Sequence, residues 1–177
     1  MPVLSSEDFI KLQNKNPDLK VRESINRNTA LSFNHETITD VVENNIKEND
    51  YIGYLIIDNQ IVASGFGKKE PSNGKYDSIY LHTFSVHSDY RGKGLCQKIV
   101  KEFIKKLGNC ILYLTVRTEP GKENMSAIKC YEKNDFIMLP SVYRDHYDGK
   151  NNAMIRIPTK NINRKRRSNR KSRNKRK

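Results

Sequence analysis

Four residues, Arg91-Gly92-Lys93-Gly94, place two cations and two glycines where an apolar run ends and a helical period begins. Such a turn is suited to holding phosphate. The first-turn amide hydrogens of a helix lack intrahelical partners, its dipole favours an anion, and glycine lets backbone approach the ligand. The loop is not a Walker-type nucleotide loop, because no Gly-Lys-Ser or Gly-Lys-Thr follows four spacer residues, and it lacks the third glycine of a dinucleotide fingerprint. Just upstream, His82 lies on a strand. An imidazole that titrates near neutrality suits proton transfer there, and equally suits a hydrogen-bonded core position. Cys96 opens the helix, where a thiol pKa falls. With no histidine beside it in sequence, it reads as a small packing residue rather than an acyl-carrying nucleophile.

Positioning these residues takes a strand, a turn and a helix in that order. Ile79 to Val86 is rich in β-branched and aromatic residues and predicts the strand. Alternation along it puts Tyr80, His82, Phe84 and Val86 on one face. A polar turn, His87 to Tyr90, leads into the basic loop. From Leu95 the period changes: Leu95, Ile99 and Phe103 share a helical face, flanked by Val100, Ile104 and Leu107. A strand at Ile111 to Val116 follows, then a helix on which Asn124, Ala127 and Tyr131 share one face. Upstream, the pattern predicts a helix through Leu12 capped by Ser5 or Ser6, an edge strand at Leu19 to Ile25 and a helix over Ala30 to Asn49. It then predicts a hairpin of Tyr51 to Ile57 and Gln60 to Phe66, turning at Asp58-Asn59. Gly67 to Lys75 reads as a polar loop, and short strands at Ile137 to Leu139 and Ala153 to Ile157 close the domain.

The basic loop resembles the acyl-CoA pyrophosphate loop of the GNAT superfamily of N-acetyltransferases, Gln/Arg-x-x-Gly-x-Gly/Ala. Arg91, Gly94 and Cys96 occupy its marked positions, with cysteine in place of the last small residue. The run from Asn124 to Phe136 is similar to that family's Asn-x-x-Ala-x-x-x-Tyr-x-x-x-Gly-Phe. Asp135 stands in the glycine's place, where aspartate tolerates the left-handed conformation. The resemblance spans about residues 19 to 157. It implies an α/β (α+β) GNAT fold: a central splayed, mostly antiparallel mixed sheet flanked by helices. It also implies direct acetyl transfer from acetyl-CoA to a primary amine, with a protein lysine or N-terminus as the favoured acceptor. The alternatives are a small amine, or a catalytically inactive scaffold that binds nucleic acid.

Acetyl-CoA is thereby implied as co-substrate, with no metal. Its holders by resemblance are Arg91, Gly92, Lys93, Gly94, Leu95, Cys96 and Asn124, with strand backbone at Phe84 and Val86, where an amide hydrogen polarises the thioester carbonyl. Tyr131 stands where the family's general acid protonates the departing thiolate. The string Leu81 to His87 resembles the serotonin (arylalkylamine) N-acetyltransferases, in which histidines four and six residues before this valine relay the amine proton. His82 matches the nearer of these; Tyr80 occupies the farther, a place where some N-terminal acetyltransferases use tyrosine. Tyr143 and Tyr147 are loosely similar to tyrosines that line the peptide groove of protein acetyltransferases.

The 177 residues carry a net charge of +13, but eleven Lys/Arg and no acid fall from Pro158 onward, so subtracting them leaves +2 for residues 1–157. The chain thus divides into one domain, residues 1–157, and a basic tail, residues 158–177, which its composition predicts to be disordered. The tail's charge fits nucleic-acid or ribosome binding or nuclear import. It has no interleaved aromatic residue for base stacking. Three cysteines, an odd number without metal-ligand spacing, predict a reducing compartment. No apolar run approaches membrane-spanning length, and Met1 to Asp18 lacks a signal-peptide core. The expectation is a soluble intracellular protein without a membrane partner, cytoplasmic or, through the tail, nuclear.

Overall fold

In the computed structural model, which describes residues 3–15, 23–27, 29, 48–58, 60–71, 74, 76–140 and 150–158, the described strands form one mixed sheet. They are β1 (Val3–Ser5), β2 (Tyr51–Ile57), β3 (Gln60–Glu70), β4 (Ser78–Val86), β5 (Ile111–Arg117), β6 (Ile137–Met138) and β7 (Asn151–Arg156). The order across the sheet is β1-β2-β3-β4-β5-β7-β6. Neighbours are antiparallel except β4 and β5, which the helix between them forces to run parallel. Helices described alongside them include α1 (Ser6–Lys15), α2 (Leu95–Leu107) and α3 (Met125–Glu132).

Apolar residues fill both faces of the sheet. Ile99 and Phe103 of α2 are buried against Ile79, Leu81, Leu112 and Leu114. On the other face Phe9 of α1 packs with Ile25, Ile52, Tyr54 and Phe66. Each such side chain removed from water contributes roughly 1.5–3 kcal/mol, so the strands that carry the site are held from both sides.

Two irregularities shape the centre of the sheet. Between Ser64↔Ser85 and Phe66↔His82 the β3–β4 register slips, so that Thr83 and Phe84 together oppose Gly65. Thr83 takes φ 52, a left-handed conformation that a β-branched residue rarely adopts, and makes a β-bulge. The extra residue inverts the alternation beyond it. Tyr80 and His82 stay on the Phe66 face, with ring centroids 5.9 Å (Phe66–His82) and 5.2 Å (Tyr80–His82) apart. Phe84 turns to the α2 face, 5.5 Å from the Phe103 ring, and Val86 follows it into that core. The single shared face predicted for Tyr80, His82, Phe84 and Val86 is therefore corrected to two. Gly65 makes this possible, since a Cβ there would lie 2.5 Å from the Phe84 ring.

The second irregularity is a gap. β4 and β5 pair at three positions, Ser78↔Ile111, Ile79↔Leu112 and Tyr80↔Tyr113. Beyond them β4 runs on to Val86 and β5 to Arg117, and no further pairing joins the two among the described residues.

Other expectations change in detail. Residues 23–27 are helical rather than part of an edge strand, and the sheet's edge is β1, which the sequence pattern did not mark. β3 continues through Glu70 instead of ending at Phe66, because Gly67 to Glu70 pair with Leu81 to Ser78. Helix α1 reaches Lys15, and Asp58 opens the hairpin turn at φ 49. Most of the helix expected over Ala30 to Asn49, Asn59, Tyr143, Tyr147 and residues 159–177 lie outside the described residues. Among the described residues no helix is long and apolar enough to cross a membrane.

Candidate active site

The basic loop is fastened to the end of β4. After Val86 the chain makes a single 3-10 turn, Ser88–Tyr90, capped by His87, whose Nδ1 accepts the Asp89 amide hydrogen at 3.3 Å. Arg91 Nε donates to the Val86 carbonyl at 3.2 Å. Gly92 and Gly94 both sit at φ 75 with open space where a Cβ would stand, so backbone conformation is what calls for glycine. Gly94 begins α2 without a side-chain cap, and the first intrahelical bond runs from the Lys98 amide to its carbonyl at 3.1 Å. The amides of Leu95, Cys96 and Gln97 therefore have no intrahelical partner, and the helix dipole adds positive potential at the same point.

The gap between β4 and β5 opens into a cavity of about 1260 Å³ that runs to this loop and is closed on its far side by α3. Phe84, Val86, Arg91, Gly92, Gly94, Leu95, Cys96 and Asn124 all line it. Lys93 does not; its ammonium lies 4.8 Å from the Tyr90 ring centroid. Leu95 is buried, so its amide is what it offers, and Asn124 Oδ1 caps α3 by accepting the Ala127 amide hydrogen at 3.1 Å. Arg91, Arg117, Lys122, Lys129 and Lys133 border the cavity against one acid, Glu123. Arg117 and Lys122 share Glu119 at 2.7 and 3.6 Å, and these contacts hold the Glu119 carboxyl below its ordinary pKa. The remaining lysines and Arg91 leave the cavity cationic.

Tyr131 lies on the α2 face of the gap. Its ring is 7% exposed and stands between Phe84 and Phe136, each 6.1 Å away. Burial, and then the neighbouring Tyr80, raise its pKa above that of an ordinary phenol. The hydroxyl therefore keeps its proton throughout the physiological range. Helix α3 stops just beyond, where Asp135 takes the left-handed φ of 65 in the place the family gives to glycine.

His82 and Tyr80 lie on the opposite face. His82 Nε2 is 2.6 Å from Asn49 Oδ1, and its Nδ1 is 2.8 Å from Thr83 Oγ1. An amide oxygen only accepts, so Nε2–H donates to Asn49 and Nδ1 accepts from the Thr83 hydroxyl. Burial, then the charge of Lys68, lower the His82 pKa to about 4 against a smaller opposing effect of Glu48. The Tyr80 ring stacks on His82 and lies 5.1 Å from Tyr113; its hydroxyl shares a hydrogen with Thr115 Oγ1 at 3.1 Å. Burial and nearby acidic groups push Tyr113 up to about 12. A group seated in the gap thus meets a protonated phenol from one face and a neutral imidazole with a second phenol from the other.

Several contributors had no sequence signal. Asn49 reaches His82 from 33 residues away and Thr83 through a bulge, and neither is marked by local pattern. Thr115 could have been found from the alternation of β5, which puts Tyr113, Thr115 and Arg117 on one face. Cys130 could have been found as the neighbour of Tyr131. It forms a disulfide with Cys96, Cα to Cα 6.2 Å, so the reading of Cys96 as a simple packing residue is corrected. Cys110 remains an unpaired thiol whose pKa burial raises.

A family model described as Acetyltransferase (GNAT) family matches residues 19–136, more than half of the chain. No curated protein matches it. The fold is similar to that in a crystal structure of the NatC complex bound to Gag peptide and CoA, at 21% identity and TM-score 0.58 over 78% of this chain and 91% of that one. It is similar to aminoglycoside 6′-acetyltransferase type Ii at 16% identity and TM-score 0.60, over 80% of this chain and 91% of that one. It is also similar to Ard1 from Thermoplasma volcanium at 23% identity and TM-score 0.56, over 79% of this chain and 93% of that one. At such identities the likeness is one of fold.

Proposed function

This chain belongs to the GNAT acetyltransferase family and is an acyltransferase, and on that premise we propose that it passes the acetyl group of acetyl-CoA directly to a primary amine in the gap between β4 and β5. The observation that carries this reading is the arrangement around the gap. An anion-binding loop and a protonated phenol, Tyr131, lie on one side, and His82 with Tyr80 on the other.

The residues present fit acetyl-CoA. Unpartnered first-turn amides, two left-handed glycines with open space above them, and a cationic lining suit a pyrophosphate. The side of β4 that β5 leaves unpaired suits an extended amide-bearing arm. Bound there, acetyl-CoA supplies an acetyl group activated as a thioester. The chain's own residues do the rest. The β4 backbone at Phe84 and Val86 orients the carbonyl and polarises it. His82, at Nδ1 once the Thr83 hydroxyl turns off it, or Tyr80 takes the amine proton. An imidazole with a pKa near 4 is unprotonated at rest and hands the proton on to water rather than storing it. Tyr131 delivers its own proton to the leaving thiolate and regains one from water, which has received the amine's.

The same imidazole narrows the acceptor. A weak base works best on an amine that is partly neutral already. At pH 7 an α-amino group of pKa about 7.7–8.0 has roughly a tenth of its population neutral, against less than a thousandth for a lysine of pKa about 10.4. A protein or peptide N-terminus is therefore the favoured acceptor, ahead of lysine, and the fold's likeness to the peptide-bound NatC complex supports it. A small amine is the second reading, supported by the likeness to an aminoglycoside acetyltransferase. A nucleic-acid or ribosomal partner for residues 158–177, and a cytoplasmic or nuclear place of action, stand as proposals from charge alone.

The test is calorimetric titration of acetyl-CoA into the full chain and its Arg91→Ala variant, followed by thiol release with three acceptors. These are a free-N-terminal peptide, an N-terminally blocked peptide with an internal lysine, and a small primary amine. Saturable binding, weakened about tenfold by the substitution, is expected, since a hydrogen bond to a charged group contributes about 1.5–3 kcal/mol. The free-N-terminal peptide should be turned over fastest. Absence of binding refutes the cofactor assignment; preference for lysine or the small amine refutes the choice of acceptor.

A further inference from the structure

The Cys96–Cys130 disulfide lies in the wall of the cofactor cavity and is used by no step above. Cys96 is in the first turn of α2, and its amide is among those without an intrahelical partner. Cys130 directly precedes Tyr131 on α3 and is 4% exposed. The bond therefore ties the phosphate-binding end of one helix to the helix that carries the proposed acid. We propose that this pair is a thiol–disulfide switch on acetyl-CoA affinity, opened by low-molecular-weight thiols, of which the released product, CoA, is one. The proposal rests on the cofactor reading above.

The chemistry balances with two thiols as reductant. A thiolate attacks the Sγ of half-buried Cys96, the less buried of the pair, since Cys130 is 4% exposed. A bond forms between the incoming sulfur and Cys96, the Cys96–Cys130 bond breaks, and the Cys130 thiolate leaves and takes a proton from water. A second thiolate attacks the incoming sulfur, releasing a small-molecule disulfide and Cys96 as the free thiol. Each cysteine gains one electron and one proton, and the two thiols are oxidised to one disulfide.

The direction of the switch follows from preorganisation. Arg91 and the buried Leu95 anchor the loop to β4 and the core, but Gly92 and Gly94 add no side-chain packing, and the disulfide is what ties this first turn to α3. With the disulfide closed, the amides facing the pyrophosphate are already fixed; with it open, binding has to order them. Reduction should therefore weaken acetyl-CoA.

The experiment uses the full chain prepared without reductant. Peptide mapping should find the segments containing Cys96 and Cys130 linked, with Cys110 as a thiol. Calorimetric titration with acetyl-CoA, before and after a phosphine reductant, should show Kd rising at least about fivefold on reduction, the lower range of ordinary coupling between sites. Cys130→Ala should show the weaker affinity under both conditions, while Cys110→Ser keeps the response. Incubation with CoA should give a mixed disulfide that maps to Cys96. Equal saturable binding in both states overturns the switch and leaves the cofactor reading standing, as does a response that persists in Cys130→Ala. An unlinked pair in the untreated protein, or an adduct on Cys110 alone, overturns it as well. Binding in neither state overturns the cofactor reading and the switch together.

Discussion

His82 makes a stability prediction that does not depend on knowing the substrate. In the folded chain its pKa falls from the ordinary 6.5 to about 4, burial being the main cause and Lys68 the next. The unfolded chain takes up that proton near 6.5 and the folded chain near 4. Between those values the unfolded state binds more protons, so stability falls as pH falls; above 6.5 both states are neutral and the group contributes no slope. Two and a half units at 1.36 kcal/mol each give about 3 kcal/mol in full, most of it spent by pH 4.5. For a chain of this size that is roughly 6–12 °C in Tm. His82→Gln removes the titrating group. It also loses one of the two hydrogen bonds to Asn49 and Thr83, about 1 kcal/mol, but that offset is independent of pH. Carboxylates titrate alike in both proteins and cancel. Urea denaturation at pH 7.5, 6.5, 5.5 and 4.5 should therefore show the wild type about 1 kcal/mol ahead at pH 7.5, the two curves crossing near pH 6, and the variant about 1.5 kcal/mol ahead at pH 4.5. Parallel curves across that range would show that the imidazole is not held neutral by burial, and the proton-acceptor role argued from it would fall too.

Tyr131→Phe should lower kcat by about 10²–10³ with acetyl-CoA affinity unchanged, as expected of a proton donor that the bound ground state does not use; equal loss in binding and turnover would mark the ring as structural. Its stability should be unaffected, because no described residue hydrogen-bonds the hydroxyl, and thermal denaturation checks this. Gly65→Ala forces the Phe84 ring away from a Cβ 2.5 Å distant and should destabilise the chain by about 1–3 kcal/mol, with turnover falling alongside. Asp135→Ala should be about 1 kcal/mol less stable than Asp135→Gly in urea, because the left-handed φ of 65 penalises a Cβ that has no polar side chain to offset it.

The local patterns were legible because each depends on one element. The β4–loop–α2 passage follows from a change of period at Leu95, and α3 from the spacing of Asn124, Ala127 and Tyr131. The position of Asp135 at φ 65 also follows from its type. What failed depends on contact between distant segments. A three-residue edge strand such as β1 exists because Val3 and Ser5 can pair with Gly53 and Tyr51, and nothing in its own residues demands it. The extension of β3 is decided by the length of β4 beside it. The disulfide escaped because Cys96 and Cys130 are 34 residues apart, and an odd cysteine count directed attention away from pairing. The division of Tyr80 and His82 from Phe84 and Val86 escaped because strict alternation assumes a bulge-free strand.

That division is where the fold does most for the chemistry. In an unbroken strand, Phe84 would share a face with His82, and the α2 side of the gap would lack the ring that Tyr131 packs against. Tyr131 on α3 and His82 before the bulge lie on opposite faces in either case; what the one extra residue, Thr83, adds is the Phe84 ring on the donor's side. The conformation of Thr83 is unfavourable by itself, of order 1–3 kcal/mol for a residue held in a sparsely populated region. The structure answers with a hydrogen bond from its hydroxyl to His82 and with the space that Gly65 leaves on the neighbouring strand. A glycine on β3 thus permits a bulge on β4. The bulge seats Phe84 against α2, and Phe84 helps keep water from Tyr131, which holds the phenol's proton until a thiolate needs it.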